Sequence, residues 1–402
     1  MKVALVCDWL TNVGGAEKVL LKLHKMYPKA PIYTSKYNPK RIDWFLDADV
    51  RTGWLKIFPS FLRRILGPLR QCYFSHLDLS EYDLIISVTG AEAKSVKSGK
   101  WLHERGKKTK NPHGIHVSYC HVPTQYYWQM YDNYIENPGF GFLNPVVRFF
   151  FKILVKPLRR ADFRGAQRPD YYITISEYAK EMIKKYYKRE AEIIHPPVEI
   201  EDFKLKNIFK KNQEKKKGNE RFSGTDYERL VENFELNEAY ITTSRQVNWK
   251  RIDLAIKACL ADKRPLLVVG EGPEHKKLVK MAKGSDLVRF FPLVKKEELA
   301  ELLAQAKGYL FPSLEPFGIA PVEALAAGCP VIAYKIGGAC DYIKDRKNGW
   351  LFDKQTVKSL SQAILGFEKM KFDREKVSKT ADEFSDKRFE KEVREFIDEK
   401  IV

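Results

Sequence analysis

Two glutamates, Glu315 and Glu323, stand eight positions apart in the stretch SLEPFGIAPVEALAAGCPVIAY, which runs from Ser313 to Tyr334. Between them lie one glycine, two prolines and four apolar residues. Pro321 suits the first position of a helix, where a missing N–H costs nothing, and Gly328 suits the residue just past the end. The spacing predicts a short helix over 321–327, with Glu323 in its first turn and Glu315 in the loop before it. The free N–H groups from Phe317 through Gly318 and Ile319 to Val322 would then converge at the positive end of the helix dipole, a place that favours an anion. A carboxylate on either side can accept hydrogen bonds from hydroxyls. The pattern fits a sugar whose phosphate rests on the backbone. The same residues also suit an ordinary helix start, with Glu323 stabilising the dipole and Glu315 solvated.

Other polar groups follow apolar runs in the same way. Gly14 and Gly15 come after the opening run and would let the backbone approach a ligand closely at a helix start. In SRQVNWKRID, Arg245 and Lys250 lie just past an apolar run, and both can reach a diphosphate, the arginine as a fork and the lysine as a point charge. VVGEGPE, with Gly270 and Gly272, is a second glycine turn of this kind. His121 opens HVPTQYYWQMYDNY, where Tyr126, Tyr127, Trp128, Tyr131 and Tyr134 fit either a sugar-stacking wall or a core. A lone histidine after a strand is more commonly structural than catalytic.

The elements that must position these residues read as alternating strands and helices, which points to α/β domains with parallel sheets. KVALVCDW, YDLIISVT, GIHVSYCHVP and PDYYITISE in the first half are short apolar runs of the kind buried on both faces. In the second half AYITTSR, RPLLVVGEG, LVRFFPLV, KGYLFPS and CPVIAY repeat the pattern. Two doubly wound domains would place these motifs at the carboxyl ends of their sheets, where ligands bind. The polar, Lys-rich segment around 204–220 reads as an insertion between them. The last eighteen residues or so form an amphipathic helix with Phe389, Val393, Phe396 and Ile397 on one face.

Length and composition agree: 402 residues, 44% hydrophobic, suffice for two cores. The opening MKVALVCDWL reads as a buried first strand rather than a secretory signal. Six scattered cysteines without a CxxC pair argue against zinc and a disulfide framework, and fit a reducing cytoplasm. The net charge of +19 implies an anionic partner. Two segments without acids, 50–77 and 137–161, mix that charge with large apolar residues: Trp54, Phe58, Phe61, Arg63, Arg64 and Ile65 in the first, and Arg148, Lys152 and Lys156 at four-residue steps among Phe149, Phe150, Ile153 and Leu154 in the second. Basic helices of this kind lie on anionic bilayers, although a core-packed helix with a solvated basic stripe would read the same way. No RNA-recognition or zinc-finger motif supports a nucleic-acid partner.

Taken together, these segments resemble the retaining GT-B glycosyltransferases of family 4. EPFGIAPVEALAAGCPVIAY carries that family's E-x7-E motif, SRQVNWKRIDLAIKA is similar to its Arg…Lys segment, and GGAEKVL and VVGEGPE look like its glycine loops. The resemblance covers nearly the whole chain. YCHVPTQYYWQMYDNY most resembles the mannosyltransferase-like branch of O-antigen, lipopolysaccharide and exopolysaccharide biosynthesis.

The resemblance implies a GT-B fold: two Rossmann-like doubly wound domains facing a central cleft. Residues 1–198 would hold the acceptor, 199–239 would be the interdomain segment, 240–380 would bind the nucleotide sugar, and 381–402 would brace the first domain. A catalytic set of His121, Arg245, Lys250 and Glu315 is implied. Arg245 and Lys250 would bind the donor diphosphate, with Gly14 and Gly15 approaching it. Glu315 would hold the hydroxyls of the transferred sugar and Glu323 the ribose, with the backbone of Phe317, Gly318 and Ile319 also on the donor. His121 would lie near the anomeric carbon. Gly270, Gly272 and the segment around Leu293 would surround the base.

The expected reaction is metal-independent, cofactor-free retaining transfer of a hexose, mannose from GDP-mannose, onto a lipid-linked or glycan acceptor. The expected location is the cytoplasmic face of an anionic membrane. A UDP-sugar donor, or a sugar-nucleotide-binding subunit without catalysis, are the alternatives. Pro292 stands where the family often has glycine, and Pro316 where the nearest branch often has aspartate. The three-residue string Asp47–Asp49 matches a metal-binding DxD, without a strand before it.

Overall fold

A computed structural model describes every residue except 60–65, 137, 139, 140, 209–233 and 402. Phe61, Arg63, Arg64 and Ile65, and most of the Lys-rich insertion, lie outside the described residues. The chain divides into two compact units, Met1–Pro197 with Phe389–Val402, and Val198–Arg388.

In the first unit the sequence's apolar runs become a parallel sheet of β1 (Val3–Cys7), β2 (Ile32–Thr34), β3 (Val50–Thr52), β4 (Leu84–Thr89), β5 (Ile115–Cys120), β6 (Tyr171–Thr174) and β7 (Glu192–Ile193). Its order is β3-β2-β1-β4-β5-β6-β7, with every pair parallel. β1, β4 and β5 are buried along their whole length, as their largely apolar character requires. Winding reverses between β1 and β4, so the loops after these two strands diverge and open a crevice.

The helix Asp386–Ile401 completes this unit by burying Phe389, Val393, Phe396 and Ile397. Phe389 meets Tyr119 edge-on at 5.9 Å and Phe396 meets Tyr171 at 6.2 Å. Each such side chain stabilises the packing by about 1.5–3 kcal/mol.

The second unit repeats the plan with β8 (Tyr240–Thr243), β9 (Leu266–Val269), β10 (Val288–Phe291), β11 (Gly308–Phe311), β12 (Val331–Tyr334) and β13 (Gly349–Phe352). The order is β10-β9-β8-β11-β12-β13, again all parallel. Here winding reverses between β8 and β11.

The helix after β11 differs from its expected bounds. It spans Ile319–Ala326 and so starts two residues before Pro321. Gly318 causes the shift: its φ of +93° turns the chain into the helix early, and a Cβ there would sit 2.7 Å from the Phe311 ring. Pro321 becomes the third helical residue, still in the turn whose N–H groups lack intrahelical partners. Glu323 moves from the first turn into the second, and Val322 is drawn into the helical ladder. The free donors are therefore Gly318, Ile319 and Ala320. Gly328, with φ +73°, follows the end as expected.

Candidate functional site

At the β8/β11 reversal the two divergent loops are joined by an ion pair. Lys250 Nζ, from the loop after β8, lies 2.6 Å from Glu315 Oε2, from the loop after β11. Ser313 Oγ donates to the other carboxylate oxygen at 2.8 Å. Burial pushes the Tyr309 hydroxyl pKa up, and the charges of Glu315 and Glu323 add to the effect. Both carboxylates therefore act on this one buried side chain. Arg245 is exposed on the same β8 loop and has no carboxylate partner among the described residues.

The Glu315 loop is rigid for a reason the sequence reading missed. Gly338 N–H donates to Glu315 C=O at 2.8 Å, and a Cβ on Gly338 would lie 2.2 Å from the Pro316 carbonyl oxygen. The Tyr342 hydroxyl donates to Phe317 C=O at 2.9 Å. Gly337-Gly338 after β12 was a visible signal, of the same kind as Gly14-Gly15.

Gln246 is the second residue the reading missed. It is fully buried and clamps the Gly270–Glu274 turn through four bonds. Its Nε2 donates to Gly270 C=O, and its Oε1 accepts from His275 Nδ1 at 2.8 Å. Its N–H donates to Glu271 C=O at 2.8 Å, and its C=O accepts from Glu274 N–H at 3.1 Å. The turn presses so closely that a Cβ on Gly272 would sit 2.4 Å from Gln246 C=O. Gly270 N–H in turn donates to Phe291 C=O at 2.9 Å, which sets the exposed Leu293 loop beside the turn. Gln246 thus ties the Arg245 segment to the glycine turn. In Gln246→Leu two buried polar groups lose their partners, a cost of about 1–3 kcal/mol. We expect the urea midpoint of the variant to fall correspondingly. An unchanged midpoint would show that Gln246 does not hold the turn.

The first unit has its own pocket at the β1/β4 reversal, with a volume of about 280 Å³. Trp9, Glu17, Gly90, His121, Gln125, Tyr126 and Tyr134 are among its walls. The helix Gly15–Met26, with Gly14 as N-cap, supplies Ala16 and Glu17. Asp8, at the end of β1, fixes the opposite rim. Its carboxylate accepts from Thr89 Oγ1 and from the N–H groups of Gly90, Ala91 and Ala93, at 2.8–3.1 Å.

His121 Nδ1 lies 3.1 Å from Thr89 C=O. A carbonyl can only accept, so Nδ1 carries the proton and Nε2 keeps its lone pair. Nε2 is buried with no partner, and burial lowers the ring's pKa. His121 is therefore a neutral proton acceptor on the wall of a sugar-sized pocket. The aromatic run divides between its two readings: Tyr126 and Tyr134 line the pocket, while Tyr127 is buried and Trp128 packs on Tyr186 at 5.1 Å.

Gly14, Gly15 and His121 thus gather in the first unit. Arg245, Lys250, Gly270, Gly272, Leu293, Glu315, Phe317, Gly318, Ile319 and Glu323 belong to the second. In the Asp47–Asp49 string, Asp49 pairs with Arg51 at 2.7 Å. Among the described residues no group of three or more His, Cys, Asp or Glu side chains is placed to hold a metal ion.

Comparison with known proteins bears on this geometry. Residues 228–384 match the family model described as glycosyl transferases group 1. The uncharacterized glycosyltransferase YqgM of Bacillus subtilis is 32% identical over 130 residues, 31% of this chain and 35% of that protein, so the match spans about a third of the relative. The mouse α-1,3/1,6-mannosyltransferase ALG2 is 26% identical over 378 residues, 86% of this chain and 83% of its own. Among solved structures, Anabaena HepE in complex with UDP-glucose superposes with a TM-score of 0.66 at 18% identity, over 99% of this chain and 100% of that one. Residues 228–384 are thus similar to a glycosyl transferases group 1 domain, in a chain that has the two-sheet GT-B fold.

Proposed function

We propose that this protein is a retaining, metal-independent family 4 glycosyltransferase that moves mannose from GDP-mannose onto a lipid-linked or polysaccharide acceptor at the cytoplasmic face of the cell membrane. The observation that carries the reading is the Lys250–Glu315 pair at the β8/β11 reversal, beside the free N–H groups of Gly318, Ile319 and Ala320. Departure of a nucleoside diphosphate leaves negative charge on phosphate oxygens and positive charge on the sugar ring. Lys250 and the helix N–H groups are fixed donors for the first, and Arg245 on the same loop adds a second cation. Such preorganised donors need no reorganisation during reaction, which is commonly the largest catalytic term.

Glu315 holds sugar hydroxyls and Glu323 the ribose. Retention follows if the acceptor attacks the face the diphosphate leaves, with a phosphate oxygen taking the acceptor proton. Similarity to ALG2 over most of the chain supports mannose as the sugar. A UDP-sugar donor is the second reading, favoured by the UDP-glucose bound in the Anabaena structure.

The test supplies radiolabelled GDP-mannose or UDP-glucose with polyprenyl-diphosphate-linked acceptor and assigns the product anomer by NMR. The proposal expects α-linked mannose, undiminished by EDTA. Transfer from UDP-glucose alone would establish the second reading, and tight binding without transfer would make the protein a non-catalytic subunit.

A further inference from the structure

The helix Asn144–Ala166 has two apolar faces. On one, Val155 and Asp162 are buried, and Phe151 packs near the Tyr127 ring at 6.4 Å. At 100° per residue, Val146, Phe149, Phe150 and Ile153 fall on the opposite side as one stripe. That stripe is bare: Phe149, Phe150 and Ile153 are 61%, 57% and 55% exposed, and Phe142 just before the helix is 90% exposed. A core-packed helix with only a basic stripe outside does not account for this. A contiguous apolar patch of such size marks a contact surface.

Charge says what the surface meets. Arg148 is turned inward, donating to the carbonyls of Ile135 and Glu136 at 2.9 and 3.0 Å. Lys152, Lys156 and Arg160 remain exposed beside the stripe, without a carboxylate partner among the described residues. No acid occurs between 137 and 161, so a second copy of the chain seated here would set one basic row against another. No helix among the described residues is long and apolar enough to cross a membrane.

We propose that this stripe seats the protein on an anionic lipid bilayer. The helix lies parallel to the surface, with Phe142, Phe149, Phe150 and Ile153 among the acyl chains and Lys152, Lys156 and Arg160 on the headgroup phosphates. The helix is fastened to its unit by the buried Asp162 carboxylate, which accepts from Lys94, Thr124, Trp128 and Tyr187 at 2.6–2.9 Å. The pocket wall at Gln125 and Tyr126 directly adjoins these partners in sequence. Docking would therefore hold the pocket at a fixed height above the lipid. The inference rests on the membrane location proposed above and names the surface that supplies it; its support is exposure and charge, so its failure would leave sugar transfer standing.

The test is sedimentation of the full chain with sucrose-loaded vesicles of phosphatidylcholine, with and without phosphatidylglycerol. The wild type should bind the anionic vesicles and little of the neutral ones. Each exposed lysine near the surface is worth about fivefold, so Lys152→Gln with Lys156→Gln should weaken binding about 25-fold. Phe149→Ser, Phe150→Ser and Ile153→Ser together should abolish it at any salt, with melting temperature and sugar-nucleotide affinity unchanged. Equal binding to both vesicle types, or variants that bind as the wild type does, would overturn the proposal. So would a wild-type dimer that the triple variant converts to monomer, which would make the stripe an interface between copies. Loss of vesicle binding with donor turnover intact would leave the enzymatic reading standing.

Discussion

Lys250→Met should lower the rate of sugar transfer by about two to three orders of magnitude, the usual loss when one preorganised donor to a developing anion is removed. Methionine keeps the unbranched stem, so packing in the β8 loop changes little. The effect comes from charge. Lys250 is the cation that reaches across the β8/β11 reversal, and Arg245 on the same loop cannot take over a position five residues away. The variant also leaves the largely buried Glu315 carboxylate without its cation, which in the proposed function weakens its hold on the sugar. The melting temperature should fall as well, because the pair is only 22% and 18% exposed and the variant leaves the Glu315 charge unpaired. Steady-state kinetics with a thermal melt beside it checks both parts. A loss in rate below about threefold would remove Lys250 from the chemistry.

Asp162→Ala should have the largest effect on stability, about 3–5 kcal/mol in the first unit, read from the urea midpoint. The carboxylate and Lys94 are both fully buried. Burial works against the Lys94 charge, but the Asp162 carboxylate outweighs it and holds the ammonium above the ordinary lysine range. Removing Asp162 strands that charge and orphans the Trp128 and Tyr187 donors together. The double change Lys94→Met with Asp162→Leu should recover part of the loss, since it removes both charges at similar volume. A single variant as stable as the wild type would show that Lys94 is already satisfied by Ala91 C=O and Thr124.

Much of this architecture is legible in the chain because burial on both faces leaves a simple trace. Largely apolar runs such as LIISVT and IHVSYC have few alternatives to parallel strands, and the polar residues that follow them fall at carboxyl ends by construction. That rule alone brings Glu315, Lys250 and Arg245 near one another. The helix start was misjudged because Pro321 is a familiar signal, whereas the positive φ of Gly318 comes from its fit against Phe311 and Tyr342, residues apart in sequence. Gln246 was illegible for a similar reason. A glutamine after an arginine looks like a solvated surface residue until the Gly270–Glu274 turn folds over it. The aromatic run could not be divided from spacing: Tyr126 and Tyr127 are adjacent, yet one lines the pocket and the other is core. The buried Asp162 gave no warning, since its four donors come from three separate segments.

A calorimetric titration of GDP-mannose and UDP-glucose into the wild type and Glu323→Ala decides whether the two glutamates serve a nucleotide sugar. GDP-mannose should bind the wild type, and the variant about ten- to a hundredfold more weakly, the worth of a charged hydrogen bond to the ribose. Absence of heat with either nucleotide sugar, or equal affinity in the variant, would contradict that role and return Glu315 and Glu323 to structural roles at a helix start.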